Sequence, residues 1–257
     1  MAGYIGLIAA AELCTAFVGS LSGAVVYAIL LLVMLTQAVI RLAPTDDEVG
    51  ATGLEVTHAI LALSFLPLIR LVSLTAPVAG GSEGARYLIV GGLVLASIVW
   101  AAWGVGLPGI VLGPRAPMLQ FAAVLAGVPL LVLGYLAIRP DSITSSNGRA
   151  EWVAAGAVAV AGVVDELVFR GFVQSALARL YGGLVGPALA VALYVILYAD
   201  VRPAGLIAFA AAVAVVYSWF AQKTQSLLGV TVSHALVNIG LFVLLPHAAA
   251  SSFPVLR

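Results

Sequence analysis

The sequence predicts an all-α, polytopic transmembrane helix bundle of about eight to nine spans, and three observations carry that expectation. First, 63% of the 257 residues are hydrophobic and 9% are charged, with a mean hydropathy of +1.18. A soluble domain carries about 45–50% apolar and about 25% charged residues. So little charge cannot keep a globule of this size dispersed in water, which excludes a soluble enzyme, a disordered chain and a nucleic-acid binder. Second, the apolar residues come in long runs. A helix rising 1.5 Å per residue needs about 20 of them to cross a hydrocarbon core about 30 Å thick. Third, the runs do not alternate polar with apolar as barrel strands do, and only helices or closed barrels satisfy the backbone inside lipid.

Taken in order, candidate spans lie near residues 3–19, 23–42, 56–78, 87–106, 117–138, 151–174, 185–200, 204–221 and 227–245. The first fourteen residues lack a basic region and their first charge is Glu12, which predicts a retained span rather than a cleaved signal peptide. Residues 44–48 and 79–84 are charged, turn-rich connections. The longest polar stretch, 140–149, divides the chain into N-terminal helices without a site signal (1–150), a segment holding most of the embedded polarity (151–246) and a short tail (247–257). Eleven basic residues balance eleven acidic ones, so charge names no partner beyond membrane lipid. The single Cys14 excludes an internal disulfide. Arginines and lysines are divided too evenly between the two sides to fix the orientation.

An ionisable side chain at mid-bilayer costs about 2.5–3.5 kcal/mol even on the lenient insertion scale, so embedded charges mark places where something compensates. Glu12 and Arg70 are the two in the first half; pairing with each other across helices is the favoured reading. In the second half Asp165, Glu166 and Arg170 follow an apolar run of more than ten residues, and unpaired they would cost roughly 8–10 kcal/mol. Glu166 and Arg170 are spaced i, i+4 with the acid first, the better orientation for a helical pair. Asp165 is rotated about 100° away and needs a polar cavity or another helix. The plainer alternative is an ion pair near the interface, with Arg170 snorkelling to the surface.

His234 and Asn238 form a second i, i+4 pair. Imidazole can act as acid or base and an amide N–H can hold an oxyanion, although such residues also serve as interhelical hydrogen-bonding pairs. Counted along their spans, His234 lies about 10 Å deep and the two acids about 12–14 Å deep, the coincidence a shared site requires. His58 and His247 read as solvated residues near helix ends. Trp100, Trp103, Trp152 and Trp219 suit interfacial anchoring. Residues 182–186, Gly-Gly-Leu-Val-Gly, favour a close turn or helix packing.

Asp-Glu-x-x-x-Arg-Gly at 165–171 and Ser-His-x-x-x-Asn at 233–238, one helical hairpin apart, resemble the CPBP family of intramembrane proteases. That family includes the CAAX prenyl endopeptidases and bacterial Abi-type relatives linked to bacteriocin processing and immunity. The resemblance covers about residues 150–246. It implies an endopeptidase in which an acid-activated water attacks a peptide bond of a membrane-associated peptide or lipidated protein, in a bacterial plasma membrane. Asp165 stands where the family has the glutamate assigned to activate water. Glu166 and Arg170 match the second acid and the arginine, and His234 and Asn238 match the last motif. Tyr198, about 17 Å deep from Pro187, occupies the place of the middle histidine.

Both departures matter chemically. Aspartate withdraws its carboxylate by about one ångström, enough to cost about a hundredfold in rate, and tyrosine near neutrality donates a hydrogen bond rather than taking a proton. Asp165, Glu166 and His234 would be the donor set for a zinc ion. With one histidine the set is unpersuasive, and no cofactor is expected. Two classes of function therefore stay open: an intramembrane endopeptidase, and a non-catalytic CPBP-like scaffold or immunity protein. A transporter is a weaker third, since no internal repeat is visible.

Overall fold

The computed structural model describes residues 1–42, 51–75, 83–140, 148–199, 204–246 and 248. All regular structure among them is helical: α1 (Ala2–Phe17), α2 (Ser20–Leu42), α3 (Ala51–Thr75), α4 (Glu83–Trp103), α5 (Pro117–Leu125), α6 (Gly127–Ile138), α7 (Gly148–Glu166), a π-helical run π1 (Leu167–Gln174), α8 (Ser175–Ile196), α9 (Ala204–Thr224), α10 (Leu228–Ile239) and a second π-helical turn π2 (Gly240–Leu244). The all-α, polytopic expectation holds. Five runs are long and apolar enough to cross a membrane: Ser20–Leu42, Gly53–Thr75, Pro117–Ile138, Trp152–Ile196 and Ala204–Thr224. Ala2–Phe17, Leu88–Trp103 and Leu228–Leu244 are apolar but shorter. The expected connections at 44–48 and 79–82, most of 140–149, His247 and nearly all of the tail lie outside the described residues.

The outer faces are those of a lipid-solvated protein. Leu21, Ile29, Leu32 and Val39 of α2 are all more than half exposed, an apolar surface that water would not tolerate at this extent. Trp100, Trp103, Trp152 and Trp219 are all exposed as well, as anchoring requires.

The chain divides into two compact units. The first comprises residues 1–75, 94–110 and 167–202. In it α2 packs along α3, α1 leans on both, and π1 and α8 pack on α3, with Phe65 against Phe172 at 5.2 Å between ring centroids. A polar lock sits inside this apolar packing. Glu12 is fully buried; its Oε2 accepts from Arg70 Nε at 2.9 Å and its Oε1 from Arg70 Nη2 at 2.5 Å. The Tyr27 hydroxyl donates to the same carboxylate. The expected Glu12–Arg70 pairing is therefore present, and it ties three helices together. His58, expected to be solvated, is instead half-buried within α3.

The 182–186 glycine cluster makes the expected turn. Gly182 holds φ +83° and ψ 169°, a backbone that residues with a Cβ rarely adopt. In a straight helix residues 178 and 186 would stand about 12 Å apart. Here a Cβ built on Gly186 would come within 2.4 Å of the Ala178 nitrogen, so the chain folds back at Gly182 and the two arms of α8 touch. This separates the expected spans 151–174 and 185–200.

The second unit comprises residues 76–93, 111–166 and 203–257. Its centre is α10, which packs on α7, α5, α6 and α9. A helix start leaves N–H groups without intrahelical partners, and in lipid these must be satisfied within the protein. The start of α10 is accordingly fastened. Leu227 N–H donates to Val111 O at 2.8 Å, Leu228 N–H to Ser226 Oγ at 3.3 Å, and Gly229 N–H to Gln120 Oε1 at 2.5 Å. Ser226 Oγ in turn donates to Gly113 O at 2.7 Å. This anchoring fixes the helix that carries His234 and Asn238.

Candidate functional site

The second unit brings three of the expected site residues onto one helix pair. His234 Nδ1 lies 2.7 Å from Glu166 Oε1, with Glu166 fully buried and His234 4% exposed. One turn further along α10, Asn238 Nδ2 donates to the carbonyl of Val158 at 3.1 Å. An advance of one turn on α10 thus matches a retreat of two turns on α7, so the helices run antiparallel, and the shared i, i+4 face of His234 and Asn238 is the face that meets α7. Gly162 permits the approach. A Cβ there would stand 3.1 Å from Ala235 N, His234 C and Asn238 Nδ2, closer than packing normally allows, so a side chain would push α10 away at the level of the site.

Glu166 ends α7, and Asp165 beside it is half-buried. The spacing argument gave Glu166 a helical partner in Arg170. The structure adds a partner that no local rule could name, His234, 68 residues away in sequence. A carboxylate on Nδ1 selects one face and tautomer of an imidazole and leaves Nε2 as the nitrogen able to meet a reacting group.

Immediately after Glu166 the backbone changes from α to π. Such i→i+5 turns are rare and often coincide with functional sites. All eight residues of π1, Leu167–Gln174, are buried. Arg170 belongs to this run and therefore to the first unit, as does Tyr198. There the Arg170 guanidinium carbon stands 4.7 Å from the centroid of the Tyr194 ring, a cation–π distance. The Tyr194 hydroxyl is 3.2 Å from that of Tyr198, and Phe169 meets Tyr194 edge-on at 4.8 Å. Arg170 is 4% exposed, which overturns the snorkelling alternative: the guanidinium stacks on an aromatic ring in the interior instead of reaching for the surface.

Two participants were missed from the sequence. Tyr194 is one of them, and it links Arg170 to Tyr198. Tyr217 on α9 was not singled out at all. It is fully buried, with its ring 5.5 Å from the imidazole of His234 and its hydroxyl 2.9 Å from Ser233 Oγ. The available signal was a hydroxyl embedded in an Ala/Val run, a polar group that must find a partner in a membrane helix. Among the described residues, no three His, Cys, Asp or Glu side chains gather as a metal site would require.

Residues 147–240 match the family model described as type II CAAX prenyl endopeptidase Rce1-like. This segment is similar to Rce1-like endopeptidases. It contains all six candidate site residues, Asp165, Glu166, Arg170, Tyr198, His234 and Asn238, of which Tyr198 departs from the family pattern. No curated protein and no solved structure matches the chain. The matched segment lies in the second half and contributes residues to each of the two compact units, while α1 to α6 lie outside it.

Proposed function

We propose that this protein is an intramembrane endopeptidase that cleaves a peptide bond in a membrane-associated peptide or lipidated protein. The observation that carries this reading is the buried Glu166–His234 hydrogen bond of 2.7 Å inside the segment similar to Rce1-like endopeptidases. Burying an acid and an imidazole in an apolar span is costly, and a scaffold has cheaper ways to join two helices.

In this reading Asp165 takes a proton from water, and the resulting hydroxide attacks the substrate carbonyl carbon. The developing oxyanion is met by the second amide proton of Asn238, while His234, its Nδ1 proton held by Glu166, accepts a hydrogen bond from the attacking water through Nε2. Collapse of the tetrahedral intermediate re-forms the carbonyl and breaks the C–N bond, and the proton held by Asp165 passes to the leaving amine. Arg170 balances the charge of the acid pair and Tyr198 supplies a hydroxyl donor; for these two the assignment rests on motif position. No metal is assigned a role. The hairpin at Gly182 lets the Trp152–Ile196 run cross twice, and the three shorter apolar helices complete about nine crossings of a bacterial plasma membrane.

A second reading, a non-catalytic CPBP-like scaffold or immunity protein, is favoured by one observation: Tyr198 replaces the motif histidine, and its hydroxyl already meets Tyr194. Purified protein incubated with a library of membrane peptides decides between them. Cleavage that is lost in both Asp165→Ala and His234→Ala supports the enzyme. Turnover that persists in both rejects the site, and a complete lack of turnover in the wild type favours the scaffold.

A further inference from the structure

We propose that Tyr217 is a positioning residue that holds the imidazole of His234 in register with Glu166. The inference rests on the endopeptidase reading for its effect on rate, but not for the geometry it asserts. Rotation of a histidine ring about χ2 is broad and roughly two-fold, because the torsion joins sp³ to sp² carbon. A half-turn would exchange Nδ1 for a ring carbon and leave Glu166 facing C–H. Orientation must therefore come from contacts, and two residues supply them. Glu166 pins Nδ1 at 2.7 Å. Tyr217 packs on the ring, with 5.5 Å between centroids and 46° between planes.

Tyr217 is itself held in place through the residue next to His234. Its hydroxyl is 2.9 Å from Ser233 Oγ, and Ser233 Oγ is 3.4 Å from the Val124 carbonyl of α5. A carbonyl can only accept, so the Ser233 proton points to Val124 and the Tyr217 hydroxyl donates to Ser233. Ser233 and Tyr217 are both fully or almost fully buried, and the sequence Val124, Ser233, Tyr217, His234, Glu166 links α5, α10, α9 and α7. Tyr217 thus acts on His234 twice, by ring contact and by fastening the preceding residue.

The test is ¹⁵N NMR of the full-length protein in detergent, with ring-labelled histidine. The chain has three histidines, and His234→Gln assigns the signal by loss. In the wild type, His234 shows one tautomer, protonated on Nδ1 toward Glu166. Tyr217→Leu, which removes ring and hydroxyl, abolishes the single-tautomer pattern; Tyr217→Phe and Ser233→Ala, which remove the anchor alone, give an intermediate one. With a cleavable peptide, kcat falls about ten- to a hundredfold in Tyr217→Leu, the scale of a one-ångström misplacement, while KM is unchanged. A wild-type His234 pattern in folded Tyr217→Leu overturns the proposal. If Tyr217→Leu does not fold, an unchanged pattern in both Tyr217→Phe and Ser233→Ala does the same. Lack of cleavage by every form would defeat the endopeptidase reading and leave the NMR result to decide this one.

Discussion

Among the described residues two carboxylates are completely buried, Glu12 in the first compact unit and Glu166 in the second, and they are compensated in different ways. Glu12 meets a guanidinium through both oxygens and a tyrosine hydroxyl besides. Arginine stays protonated in proteins and has no acceptor, so this partner cannot exchange a proton with the acid. Glu166 meets an imidazole, a group that can hold or release a proton under ordinary conditions. The first arrangement can fix helices in register, the best-attested use of a buried ion pair. The second can also do chemistry. Burial of an acid therefore says little about function until its partner is known.

Exchanging the acids tests that difference. The largest effect is expected for Glu166→Gln, which keeps the shape and a hydrogen bond to His234 but removes the charge. Cleavage should fall by about 10²–10⁴-fold, the usual contribution of a positioned acid or base, with little change in the melting curve. A variant as active as wild type would show that the Glu166–His234 pair is only structural. Arg70→Ala should do the opposite. It strands a buried carboxylate and should destabilise by about 3–5 kcal/mol, read as a lower unfolding temperature, while the cleavage rate per folded molecule stays the same. Equal stability of Arg70→Ala and wild type would mean that Glu12 does not depend on its guanidinium.

Asn238→Ala is expected to cost less. It removes one hydrogen bond, the 3.1 Å contact to Val158 O, worth about 0.5–1.5 kcal/mol, because that carbonyl remains within the ladder of α7. If the amide also meets the oxyanion, the variant should lose far more in kcat than in stability. Matching losses would reduce Asn238 to a helix–helix tie.

These contrasts also show what the sequence could reveal. Helical class and segment positions were legible because the bilayer imposes a length and a polarity on every span. The Glu12–Arg70 pair was legible because two lone charges in an apolar half have few other solutions. His234 and Asn238 share a face as their spacing said, since α10 is a regular helix from Leu228 to Ile239. The partner of Glu166 was not legible. Spacing rules such as i, i+4 describe one α-helix, whereas the Glu166–His234 contact depends on how α7 and α10 are rotated against each other and on Gly162 letting them approach. Nor was the π-helical backbone around Arg170, for which Leu167–Gln174 carries no recognised local signal. Tyr194, Tyr217 and Tyr27 went unassigned for a shared reason: tyrosine is at home at the membrane interface, so its residue type does not reveal a buried role.

The smallest effect is expected where the comparison is sharpest. Replacing the whole first cluster, Glu12→Leu with Arg70→Met and Tyr27→Phe, removes the carboxylate, the guanidinium and the hydroxyl together and leaves nothing polar stranded. Buried ion pairs exchanged for apolar residues of similar volume are often neutral or stabilising, so the triple variant should unfold within about 1 kcal/mol of wild type despite the larger chemical change than in Arg70→Ala. Purified in detergent and followed by thermal unfolding, it should also retain cleavage. A corresponding apolar exchange at Glu166 and His234 should preserve the fold and abolish turnover. A triple variant that fails to assemble would mean that the Glu12 cluster specifies helix register and does more than satisfy its own charges.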